Sequence, residues 1–226
     1  MRNAERDEIE MAERREKLLA TGFRLFAARS IEAVKLQEIA TASGIGIATL
    51  YRYFKTKTDM VIEIGVKKWQ EYYIEEEASF VRRGGAAMTA AAEMAFFLDC
   101  FIDLYRNHQD LLRFNRNFDN YVKHAGCSAE QMRPYNEAVN VFADKFHALY
   151  RKAQADGTLR VPVSEKRLFV NTMYTMLSVA AKYAEGLIYP PDETRDMTEE
   201  LTLLKQMILD YYVIPADRTR PGATQE

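Results

Sequence analysis

The chain has 226 residues, 48% of them hydrophobic and 28% charged, with a net charge of −2. This length supports a real core, and the balance is that of an ordinary globular protein. No apolar run approaches the roughly 18–20 residues that span a bilayer, so no membrane partner is expected.

The N-terminal run MRNAERDEIEMAERREK is charged throughout and has no apolar stretch, which points to a cytoplasmic, unsecreted protein. Leu18, Gly22, Phe23 and Phe26 mark one face of a first helix ending near Ser30. Leu36, Ile39 and Ala40 mark a short second helix, and Leu50 and Phe54, four apart, face inward on a third. Thr56 and Asp59 form an N-terminal capping pair for a long helix that runs to about Arg83, where Gly84-Gly85 breaks it. Further helices are expected at about 86–107, 109–124, 128–155, 164–186 and 195–213, with ADGTLRVP and YPPDET as separators. No segment sustains a two-residue alternation, so the expected class is all-α. The polar tail after Pro215 is expected to be loose. The predicted division is a head over 1–60, a helical body over 61–214 and a tail over 215–226.

The charge is unevenly placed. Arg14 to Asp59 holds nine basic and four acidic side chains, a local +5, which leaves −7 for the rest. A basic head on an acidic body directs a polyanion to the head. There, two short helices joined at ASGIG read as a helix-turn-helix, with Gly44 at the turn because a residue without Cβ enters left-handed geometry cheaply. With Leu50 and Phe54 inward, Ala48, Tyr51, Arg52 and Lys55 share the outer face, and Ile47 leads the helix. Such a helix fits the major groove of double-stranded DNA. Arg52 is placed to fork onto guanine, and Ile47 or Ala48 to touch a thymine methyl. Thr49, Tyr51, Tyr53 and Lys57 suit phosphate oxygens, as do the first amides of the helix beginning at Thr56.

The run LFAARSIEAVKLQEIATASGIGIATLYRYFKTKTDM, with Phe26, Ile39-Ala40, Gly44-Ile45 and Thr49-Leu50-Tyr51-x-Tyr53-Phe54-Lys55-x-Lys57, resembles the DNA-binding head of TetR-like transcriptional regulators. The resemblance covers Leu18 to Met60. It implies a homodimeric, ligand-responsive regulator, a repressor released from a palindromic operator by a small, largely apolar effector. It also implies dimerisation through the last two helices and no cofactor. The sequence departs from the family pattern at Ser30, where a helix-ending Gly is common, and at Lys35, where Thr usually starts the second helix. It departs again at Gly46 and Ile47, where Ser and a polar residue are frequent. These changes move base reading toward Gln37, Arg52 and apolar contact from Ile47, and Lys35 adds a phosphate-seeking ammonium.

In the body, aromatic and Met residues recur on helix faces: Met94, Phe97, Phe101 and Tyr105; Phe114, Phe118 and Tyr121; Tyr135, Val139, Phe142 and Phe146; and Met173, Met176 and Leu177. Singly, each reads first as core. Together they suit an apolar pocket, for which Phe97, Phe101, Tyr105, Phe114, Phe118, Tyr121, Phe142, Met173 and Met176 are the candidate ligand residues. Arg113, Arg116, Asn117 and Asn120 read first as a solvated face and second as groups orienting a polar ligand end. Leu168, Ala180, Ala181 and Ala184, then Leu201, Leu204, Ile208 and Tyr211, suit close helix packing, across a two-fold axis or within one subunit.

Catalysis has little support. His108, His124 and His147 lie far apart in sequence, and there is no HExxH, phosphate-cradling glycine loop or nucleophile elbow. Cys100 reads as inert core and Cys127 as a loop thiol; two cysteines make neither a disulfide framework nor a Cys-rich zinc site. No metal site is expected. The rival reading is a helical small-molecule carrier or enzyme with an incidental basic head.

Overall fold

The computed structural model describes residues 2–161, 164–186 and 196–215. Its helices are α1 (Arg2–Ala28), α2 (Leu36–Ala42), α3 (Ile47–Tyr53), α4 (Lys57–Arg82), α5 (Ala90–Asn107), α6 (Gln109–Ala125), α7 (Ala129–Asp156), α8 (Glu165–Phe169), α9 (Thr175–Ala184) and α10 (Thr198–Tyr212). Among the described residues there is no strand, only a single bridge between Leu159 and Val213. The fold is all-α. The expected loose tail beyond Pro215 and the YPPDET separator lie outside the described residues.

By packing, the chain forms two compact units: 2–72 with 110–139, and 73–109 with the described residues from 140 onward. The first therefore holds the helix-turn-helix together with most of α6 and the start of α7. Its core is built on Phe26, Leu50, Phe54, Phe114 and Phe118, all fully buried. Burying each such side chain stabilises the unit by about 1.5–3 kcal/mol. Glycines let the helices approach closely. A Cβ at Gly22 would lie 2.8 Å from Met60 Cε and 2.9 Å from Ile64 Cδ1, and one at Gly65 would lie 2.9 Å from the Tyr135 ring. Tyr135 stacks on Phe118 with centroids 4.1 Å apart.

In the second unit α5 is the central element, packed against α9 and α10. Thr89 caps it, its hydroxyl accepting from the Ala92 amide at 3.3 Å. Two more of its first amides donate to side chains at the end of α7 and in the turn after it: Ala90 N to Asp156 at 2.7 Å and Ala91 N to Thr158 at 3.0 Å. These bonds satisfy donors that a helix start cannot pair internally. The segment expected as one helix over 164–186 is helical from α8 into α9, but Val170–Tyr174 between them is a π-helical turn. There the Thr175 hydroxyl donates to the Val170 carbonyl at 3.0 Å and the Thr172 hydroxyl to that of Leu168 at 2.7 Å.

Of the residues read as suited to close helix packing, Leu168, Ala180 and Ala184 are buried, as are Leu201 and Ile208 of α10, whereas Ala181 and Leu204 are half-buried and Tyr211 is exposed. The outward apolar stripe of α10 is Leu203, Met207 and Tyr211, which are 63%, 61% and 57% exposed.

Candidate nucleic-acid interface and ligand region

The turn between α2 and α3 follows from Gly44, whose φ of 65° is left-handed. Ile45 N donates back to Ala40 O at 2.9 Å and Gly44 N to Thr41 O at 3.0 Å. This paired arrangement closes α2 and requires a residue free of Cβ strain after its cap. Lys35 is the N-cap of α2 and Gly46 that of α3, and neither supplies a capping side-chain bond. Lys35 has no hydroxyl to cap with where Thr is usual. Ser30 avoids the left-handed region, since no described non-glycine residue has positive φ. Its Oγ accepts from the Ala33 amide at 3.3 Å, and the departure from Gly carries no left-handed strain.

Leu50 and Phe54 are buried, as their spacing requires, and this turns the opposite face of α3 outward. Ala48, Tyr51 and Arg52 are exposed there, Ile47, Thr49 and Tyr53 are half-exposed, and Lys35 and Gln37 are exposed at the start of α2. Eight of the nine predicted DNA-facing residues therefore lie on or beside α2 and α3.

Lys57, the ninth, is held differently. Its ammonium donates to the Glu32 carbonyl at 3.2 Å and sits over the rings of Tyr121 and Phe26 at 5.8 and 6.0 Å. Burial pulls its pKa down, against the opposing charges of Glu32 and Glu38. Lys55, by contrast, is exposed on the outer face. The capping pair at the start of α4 forms as predicted: Thr56 N donates to Asp59 Oδ2 at 3.0 Å, and Asp59 N donates to Thr56 Oγ1 at 3.1 Å. That carboxylate occupies the Thr56 amide, which the sequence reading had assigned to a phosphate. Arg15, bidentate to Glu63 at 2.9 and 2.5 Å, and Arg29, paired with Glu38, spend their charge inside the head. Lys35, Arg52 and Lys55 are exposed, and the Lys17 ammonium lies beside the Gly44 turn.

Residues 18–64 match the model of the bacterial regulatory proteins of the tetR family. The head is a TetR-family DNA-binding domain.

Similarity to solved structures extends over the whole fold. The fatty acid degradation regulator FadR of Bacillus halodurans shares 15% identity at a TM-score of 0.67, over 86% of this chain and 94% of its own. A putative regulator from Saccharomonospora viridis in complex with choline shares 18% at 0.68, over 90% and 100%. FadR of Bacillus subtilis in complex with stearoyl-CoA shares 14% at 0.66, over 86% and 97%. No curated protein matches the sequence. The whole chain shares the fold of these regulators, and its head carries the tetR-family match.

The nine candidate ligand residues fall in both units. Phe114 and Phe118 join the head unit's core, Phe114 against Phe23 at 5.4 Å, and the Tyr121 hydroxyl shares a 2.9 Å hydrogen bond with that of Thr58. In the second unit Phe97, Phe101 and Phe142 are brought together: Phe142 meets Phe97 at 5.8 Å and Phe101 at 5.7 Å, edge to face. Phe80 stacks on Phe97, and Phe169 and Phe146 extend the cluster. Met173 and Met176 are fully buried, and the hydroxyl of buried Tyr105 accepts from the Met197 amide at 3.0 Å.

Two side chains make contacts that sequence alone does not reveal. Asn117 is half-exposed, and its amide donates to the Phe26 and Arg29 carbonyls at 2.8 and 2.9 Å and caps the end of α1. Glu76, buried on α4, accepts from Lys145 at 3.0 Å. Among the described residues no group of three His, Cys, Asp or Glu side chains could hold a metal, and no helix is long and apolar enough to cross a membrane. The Cys100 thiol is pushed well up by burial and by the nearby Glu76 charge, which suits an inert role.

Proposed function

We propose that the protein is a homodimeric, effector-responsive repressor that binds a palindromic operator with one α3 per half-site. The observation that carries this reading is the outer face of α3, where Arg52 and Tyr51 project from a helix fixed by buried Leu50 and Phe54. Arg52 reads a base edge, and Lys35, Lys55, Thr49 and Tyr53 hold phosphates. Gln37, Ile47 and Ala48 complete the reading surface. Lys57 reaches phosphate only by leaving the Glu32 carbonyl.

Residues 1–60 serve DNA and 61–214 serve effector and partner. The exposed stripe Leu203, Met207 and Tyr211, with Val170 and Tyr174, supports dimerisation through the last helices, since a monomer rarely leaves such a patch uncovered. The cluster of Phe97, Phe101, Phe142, Tyr105, Met173 and Met176 supports an effector site in the body. Effector binding favours a conformation whose heads no longer match the half-site spacing, and by linkage DNA weakens effector binding to the same degree. Stearoyl-CoA in one structural neighbour and choline in another are unlike molecules, so effector chemistry must be read from this chain's own side chains.

The test is a mobility shift on DNA upstream of its own gene over a series of salt concentrations. Arg52→Ala is expected to lose about 1–3 kcal/mol and to relax specificity at one base pair per half-site. Lys55→Ala is expected to weaken all sequences alike and to lower the salt slope by about one unit. A protein that shifts no DNA at low salt, or an Arg52→Ala variant indistinguishable from wild type, overturns the reading.

A further inference from the structure

The second unit contains a buried ionic group that is incompletely satisfied. Glu76 and Glu77, adjacent on α4, share one cation: Lys145 Nζ donates to Glu76 at 3.0 Å and to Glu77 at 2.9 Å. Two carboxylates on one ammonium leave a formal charge of −1. The Glu76 side chain is only 2% exposed, and its second oxygen, Oε1, is buried with no hydrogen-bond partner. A buried carboxylate oxygen without a donor is costly, so a folded protein that keeps one calls for a reason.

The surroundings supply one. Phe80 lies one turn beyond Glu76 on α4 and packs on Phe96 at 5.2 Å and Phe97 at 6.3 Å. Phe142 lies one turn before Lys145 on α7 and meets both Phe97 and Phe101. Cys100, on α5 between those two phenylalanines, feels the Glu76 charge directly. Three helices thus set an unsatisfied carboxylate at the edge of an aromatic cluster. Burial raises the Glu76 pKa while Lys145 pulls it down, the competition expected of a charge retained at a desolvation cost.

We infer that the effector is an organic cation, a protonated amine on an apolar body, whose N–H donates to Glu76 Oε1 while its carbon skeleton lies among Phe97, Phe101 and Phe142. One added positive charge neutralises the Glu76–Glu77–Lys145 group, and one added donor satisfies the orphaned oxygen. The aromatic faces favour a cation over a neutral or anionic end group. This inference rests on the effector-responsive reading given above and names the ligand class of the same site.

The test compares decylammonium, decanol and decanoate, which share one carbon chain, by calorimetry on the full chain and by release of the operator in a mobility shift. Decylammonium is expected to bind at least about tenfold tighter than decanol, with decanoate weakest. Glu76→Gln keeps the shape but removes the charge, and it is expected to erase the preference for decylammonium over decanol. Lys145→Met, which leaves both carboxylates without their shared cation, is expected to tighten decylammonium; it decides the matter with the wild-type series should Glu76→Gln fail to fold. Equal affinity for decylammonium and decanol, tightest binding of decanoate, or a preference unchanged in Glu76→Gln overturns the inference. If decanol or decanoate releases the operator and decylammonium does not, the amine falls while the regulator reading stands. If the chain never binds the operator, the reading beneath it falls as well.

Discussion

The two units solve the burial of polar groups in opposite ways. In the head unit Asn115 Oδ1 accepts from the Trp69 indole at 3.2 Å and from the Tyr135 hydroxyl at 2.8 Å, while its amide donates to Asp119 at 3.4 Å. Donors and acceptors there meet one another, and three helices are joined through neutral groups, with the Asp119 carboxylate, its pKa raised by burial to about 6, at the margin. In the other unit Glu76, Glu77 and Lys145 leave an oxygen and a charge unanswered. A closed polar network specifies one packing, whereas an open one leaves a desolvation cost unanswered. The region that must present a rigid surface to DNA has the closed network, and the region proposed to meet an effector has the open one.

The strongest blow to this contrast falls on the packing behind the closed network. Phe118→Ala removes a fully buried ring that stacks on Tyr135, and it is expected to cost about 3–5 kcal/mol in urea denaturation. Phe142, only partly buried, should cost less on the same change. If Phe142→Ala proves the more damaging, the assignment of rigid and adaptable regions is reversed.

A smaller loss is expected from Asn117→Ala, which strands two carbonyls at the end of α1: about 1–2 kcal/mol, read as a lowered denaturation midpoint. Restoring the donor with Asn117→Gln should recover little, because both bonds depend on the side chain's length. Full recovery by Gln would count against a specific cap.

The subtlest effect concerns pH. Burial places the folded pKa of Glu76 above its unfolded value, despite the pull of Lys145. Folding therefore favours the protonated form. That contribution is complete below the ordinary carboxylate range and is lost as pH rises through the folded value. Glu76→Gln has no such proton to lose. Melting from about pH 4 to about pH 7 should show wild type losing ground to the variant. A parallel pair of curves would mean the carboxylate is as well satisfied as one in water.

Much of this was legible before any coordinates. Helix periodicity located α2 to α7 and the part of α1 from Leu18 onward because each buries one face against a core. The charged first half of α1 has no apolar stripe to read. The Leu50–Phe54 spacing oriented α3 because burying those two leaves one possible outward face. Three features were not legible, each for its own reason. Asn117 bonds to carbonyls some ninety residues away, a contact no local pattern encodes. Lys57 carries the charge of a phosphate contact, but its length also lets it reach the Glu32 carbonyl over two rings. Glu76 stands in the run Glu75-Glu76-Glu77, which reads as a solvated face; only the packing of α4 shows which of the three turns inward.

The π-helical turn at Val170–Tyr174 also bears on how this chain tolerates changes in length. Leu168, Met176, Ala180 and Ala184 are all buried, although eight residues separate the first two. In an unbroken α-helix eight residues overshoot two turns by about 80°, and Met176 would rotate away from the line of Leu168. The wider turn absorbs one residue and restores the alignment. A chain lacking the exposed Asn171 would have seven residues there, close to two ordinary turns, and the same faces would point inward. Deleting Asn171 should therefore leave a folded protein with a melting temperature near that of the parent. Deleting one residue from the middle of α5, which has no such slack, should abolish folding. The turn marks the place in this helix where evolution can add or remove a residue without resetting what lies beyond it.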